Sequence, residues 1–119
     1  VALRVPAGSP ESKRIEHRVA GADANPYLAL AAVLAGVHHG LINEITPPEP
    51  RADNAGAELD SQMPFTWQAA LDQFSKGDSL SGYLGESYSR LYKECKQTEL
   101  DAFSQEFTPL EYRWYLSPE

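Results

Sequence analysis

An α+β fold is predicted by three features of the 119-residue sequence: two short N-terminal segments of strand character, a strongly apolar segment opening on Asn-Pro, and apolar residues at helical spacing through the last third. Ala2 to Val5 reads as the first strand, ended by Pro6. Gly8, Ser9 and Pro10 turn the chain toward the second, Lys13 to Val19. A period of two along this second strand sends Arg14, Glu16 and Arg18 to one face and Ile15, His17 and Val19 to the other. If the two strands pair, Arg4 joins the charged face. One explanation of this cation, anion, cation row is an exposed strand whose polar face neutralises itself. The other is the floor of a site, where one carboxylate holds a hard cation and flanking guanidiniums grip phosphate or carboxylate oxygens.

After the strands, Gly21 to Ala24 is a connector, and Asn25 before Pro26 is an N-cap with proline at the first helical position. The helix expected there, Pro26 to about His39, is apolar all round, so it is expected to be buried, with Gly36 allowing close approach of a neighbour. Gly40 is the expected left-handed cap. His38 and His39 fall in the last turn and point about 100° apart, which suits capping better than a shared metal.

The composition changes between Asn43 and Pro64, where four prolines and few large apolar residues predict a long loop. Thr66 caps a short helix, Trp67 to about Phe74, with Trp67, Ala70, Leu71 and Phe74 facing inward. Lys76 to Asp78 breaks it. Leu84, Tyr88, Leu91 and Cys95, continued by Leu100, Phe103 and Phe107, form a helical stripe, on which Cys95 reads as a small core residue. Thr108, Pro109 and Glu111 make a capping box opening a helix through Tyr115, and Tyr112, Trp114 and Tyr115 are expected to pack as an aromatic cluster. The organisation predicted is one domain's worth of chain: strands and buried helix in 1–42, a loop in 43–64 and a helical region in 65–119.

A formal charge of -7 argues against non-specific nucleic-acid binding. The acidity makes the N-terminal cations stand out, because Arg4, Lys13, Arg14 and Arg18 stand among only two carboxylates, Glu11 and Glu16, before residue 19. The single cysteine fits a reducing compartment. The apolar run Tyr27 to Val37 is shorter than the roughly 20 residues that span a bilayer. A cytoplasmic protein with no membrane partner is expected. The opening Val1, already strand-like, leads to the expectation that the chain is a piece of a longer polypeptide.

The run Arg14-Ile-Glu-His-Arg-Val-Ala-Gly-Ala-Asp-Ala-Asn-Pro-Tyr-Leu, preceded by Leu3-Arg-Val-Pro and ending in Pro109-Leu-Glu-Tyr-Arg-Trp-Tyr-Leu, resembles the C-terminal part of glutamine synthetase-type ligases. Its form looks closer to the branch that includes gamma-glutamylpolyamine synthetases than to the ammonia-using bacterial enzymes. The resemblance covers nearly all of this chain but only the last part of the family's polypeptide. It implies that the strands belong to the family's catalytic sheet. It also implies an ATP-dependent carboxylate-amine ligase that joins ammonia or another amine to the gamma-carboxylate of glutamate through a gamma-glutamyl phosphate. The cofactors implied are ATP and Mg2+ or Mn2+, and the assembly a homo-oligomer.

Residue by residue, the resemblance makes Arg4 a phosphate-contacting arginine, Arg14 an arginine reaching the nucleotide phosphates, and Glu16 a ligand of one of two divalent cations. Arg18 is matched to the catalytic arginine that steadies substrate and transferred phosphoryl group. Where the family usually carries a lysine in the turn before the strand, this chain has Glu11. No tyrosine lies between Tyr27 and Tyr83, so control by tyrosine adenylylation in the loop is not expected. The other metal and glutamate ligands implied by the family lie in segments outside this chain, and the isolated chain is expected to be inactive. The competing expectation is a non-catalytic module serving oligomerisation or nucleotide or partner binding.

Overall fold

The computed structural model describes residues 2–54, 56–57 and 60–116. Val1, just before the first expected strand, and positions 55, 58 and 59 of the expected loop lie outside the described residues. Two antiparallel strands are followed by helices, which is the α+β arrangement expected. The chain divides into two compact units, Val1–Met63 and Pro64–Glu119.

In the first unit, β1 (Leu3–Arg4) and β2 (Glu16–His17) pair with Leu3 opposite His17 and Arg4 opposite Glu16. The Arg18 N–H donates to the Ala2 carbonyl at 2.9 Å and carries the ladder one step further. Both strands are shorter than expected. Pro6 and Pro10 cannot donate to a ladder, and the connection is taken up by a 3-10 turn, Pro10–Ser12, closed by Ser12 N–H and hydroxyl donation to the Ser9 carbonyl, both 3.0 Å.

Helix α1 (Pro26–Ile42) begins where Asn25 Oδ1 accepts from the N–H groups of Tyr27 (3.0 Å) and Leu28 (3.3 Å). It does not stop at Gly40. Leu41 and Ile42 continue the helix, and Asn43 closes it by donating its side-chain amide to the His39 carbonyl at 2.8 Å. The left-handed residue is Glu44, with φ 49°. Ile45 N–H reaches the Gly40 carbonyl and Glu44 N–H the Leu41 carbonyl, the paired bonds of a Schellman motif with a glutamate in the position glycine usually fills. The expectation that α1 is buried is corrected. Ala35 alone on this helix is buried, while Tyr27, Leu30, Leu34, Val37 and Leu41 are exposed. A Cβ built on Gly36 meets nothing within 4 Å.

In the second unit, α2 (Trp67–Lys76) starts with Thr66 Oγ1 accepting from Ala69 N–H at 3.2 Å. Gly77 separates it from α3 (Asp78–Leu84), and Gly85, at φ 86°, separates α3 from α4 (Glu86–Ser104). The predicted single stripe is therefore cut at a residue whose backbone conformation favours glycine. Helices α2 and α4 run antiparallel, with Trp67 against Phe103 (ring centroids 6.3 Å) and Phe74 against Tyr92 (5.5 Å). Leu71, 5% exposed, lies at the centre of α2.

The inward face of α4 carries Ser89, buried, with Tyr92 and Leu100 half-buried, so of the predicted stripe Leu100 faces inward whereas Leu91 and Cys95 do not. At 3.6 residues per turn Leu91 lies about 160° around the helix from Ser89. Leu91 and Cys95 are exposed, which corrects the core role expected for the cysteine. Ala70, expected to face inward, is exposed, and Ala69 is half-buried instead.

The capping box is present, with Thr108 Oγ1 accepting from Glu111 N–H and Glu111 Oε2 accepting from Thr108 N–H at 2.7 Å. It opens α5 (Pro109–Glu111), which passes into a π-helical turn, Tyr112–Leu116. Trp114 and Tyr115 meet edge to face at 6.5 Å, but both are exposed with Tyr112, so the aromatic cluster does not form a core. No helix among the described residues is long and apolar enough to cross a membrane.

Candidate functional site at the strand pair

The register places Arg4 directly across from Glu16, and strand parity places Arg14, two residues before Glu16, on the same face. Arg4 Nη1 donates to Glu16 Oε2 at 3.1 Å and Arg14 Nη2 donates to Glu16 Oε1 at 2.9 Å. Each guanidinium takes a different oxygen, so the carboxylate is shared between two elements of the chain. The Glu16 side chain is 25% exposed, against 53% for Arg4 and 60% for Arg14. The anion is the enclosed member, and more than half of each arginine side chain is exposed.

Partial desolvation pushes the Glu16 carboxyl up, but the hydrogen bonds and charges of Arg4 and Arg14 outweigh it and hold the group below the ordinary carboxylate range. Glu16 is therefore ionised at neutral pH. Two cations around one anion leave a net positive charge with unused N–H donors pointing outward, since each guanidinium has five. Such an arrangement suits oxyanions, phosphate or carboxylate, gripped in a fork.

Arg18 stands apart from this cluster. Its backbone is fixed by the bond to Ala2, but among the described residues no hydrogen bond or ion pair engages its exposed guanidinium. The structure thus brings together three of the four residues singled out in the sequence. Glu11, in the turn before β2, has its carboxyl lowered first by a backbone hydrogen bond within the residue and then by the Ser9 hydroxyl.

By themselves these residues do not make a divalent-cation site. Hard cations take about six or more oxygen ligands, whereas Glu16 offers one carboxylate already held by two guanidiniums. Among the described residues no three His, Cys, Asp or Glu side chains converge in a way that would hold a metal ion. Strand parity alone puts Arg14 beside Glu16, whereas the Arg4 contact also depends on the register that sets Arg4 opposite Glu16.

The sequence matches the glutamine synthetase catalytic-domain family model over residues 1–115. Among curated proteins, the gamma-glutamylputrescine synthetase of Escherichia coli (strain K12) is 44% identical over 117 residues, 98% of this chain and 25% of that protein. The gamma-glutamylethanolamide synthetase of Streptomyces coelicolor is 34% identical over 112 residues, 94% of this chain and 24% of that protein. The glutamine synthetase of Methanocaldococcus jannaschii is 33% identical over 122 aligned residues, 96% of this chain and 27% of that protein. The chain thus spans about a quarter of the length of the curated relatives it matches. With a family match that runs from the arginine-bearing strands to the C-terminal aromatic turn, the chain belongs to the glutamine synthetase catalytic-domain family.

Proposed function

We propose that these residues form one wall of the active site of an ATP-dependent carboxylate-amine ligase, which joins ammonia or an amine to the gamma-carboxylate of glutamate. The observation that carries the reading is the closure of Arg4 and Arg14 on opposite oxygens of Glu16, in a family whose curated members include gamma-glutamyl amide synthetases. The stronger identity to the putrescine-using relative favours an amine other than ammonia as acceptor. Bound ATP with Mg2+ or Mn2+ would supply the phosphoryl group and neutralise its charge.

The roles of the chain's own residues follow from charge and placement. Arg4 and Arg14 hold phosphate oxygens with the donors they do not spend on Glu16. Glu16 keeps the two guanidiniums in fixed positions and offers its carboxylate as one ligand of a divalent cation completed by residues outside this chain. Arg18, with a guanidinium that no other described residue holds, steadies the substrate and the transferred phosphoryl group. Positioned charge of this kind is the main requirement of phosphoryl transfer, which needs little covalent help from the protein. The intact protein is read as a cytoplasmic homo-oligomer, without nucleic-acid or membrane partners.

The test is ADP formation by the intact protein that contains these residues, measured with and without glutamate and with ammonia or putrescine as acceptor. ADP release that requires both glutamate and an acceptor supports the ligase. Binding of Mg-nucleotide that falls steeply with salt, without turnover, would overturn it in favour of a binding module.

A further inference from the structure

We draw no further inference here: the strongest candidate, the exposed apolar stripe of α1 formed by Tyr27, Leu30, Leu34, Val37 and Leu41, carries nothing because nothing in the structure shows what covers it.

Discussion

Glu16 is the residue on which the N-terminal charges converge, and its ionisation reports whether the cluster forms. Its carboxyl is held low in the folded chain, so the pairing stabilises the fold above the ordinary carboxyl value near pH 4.5. That contribution is lost as pH falls through the lower folded value. In a carbon-detected NMR titration, Arg4→Ala and Arg14→Ala should each move the Glu16 midpoint upward; an unmoved midpoint in both variants would mean the ion pairs do not form in solution. High salt should raise the midpoint as well, because the guanidiniums are largely exposed and exposed charges are screened. The pairing of Arg14 with Glu16 was legible in the sequence, since strand parity alone puts them together. Arg4 needed the strand register, and the isolation of Arg18 from the cluster was not legible, because parity places it on the same face as Glu16.

At the level of elements, the helix starts that carry a side-chain cap were readable, whereas the glycine-separated starts of α3 and α4 and the end of α1 were not. Asn25, Thr66 and Thr108 cap as their side chains dictate, by accepting hydrogen bonds from the next turn. Gly40, in contrast, lies inside α1, because the apolar residues after it extend the helix to a cap supplied by Asn43. Two substitutions separate backbone conformation from side-chain contact. Glu44→Gly should stabilise the first unit by about 0.5–1 kcal/mol, since a left-handed backbone costs a side-chain-bearing residue roughly 1–2 kcal/mol and glycine avoids most of it. Gly85→Ala should destabilise the second unit by about 1 kcal/mol although a Cβ there meets nothing within 4 Å, because the cost lies in φ. Thermal unfolding followed by circular dichroism checks both, and a destabilising Glu44→Gly would contradict the Schellman assignment. Leu71→Ala should cost more, about 2–4 kcal/mol, because it removes the most buried apolar side chain of the α2–α4 pair. The face of α4 that meets α2 was read in part from spacing, which included Leu100 and Phe103 but also Leu91 and Cys95, both of which are exposed. The sequence has apolar residues on more than one side of this helix, and Phe74 and Trp67 select the side carrying Tyr92 and Phe103.

At the scale of the whole molecule, the family and the α+β class were legible, and the amount of core was not. Among the described residues only Ala35 and Leu71 are buried apolar side chains, while large residues on α1, α4 and the C-terminal turn are exposed. Hydrophobicity of α1 predicts burial only when enough other surface is at hand to cover it. The same shortage applies to chemistry, because one carboxylate and three arginines bind charge but leave a divalent cation without most of its ligands. The isolated 119-residue chain should therefore form no ADP in response to glutamate and amine. A coupled assay checks this, and turnover by the chain alone would refute the one-wall account. Whether Glu16 and its arginines belong to the catalytic machinery is decided by the kcat of the intact protein carrying Glu16→Gln, with Lys96→Gln, in the second unit, as a control for loss of a charge. Glu16→Gln should lower kcat by about 100-fold or more, the scale of losing one electrostatic contact in a transition state, and Lys96→Gln should leave it unchanged. An unchanged kcat for Glu16→Gln would reduce the charged row to a self-neutralising strand face.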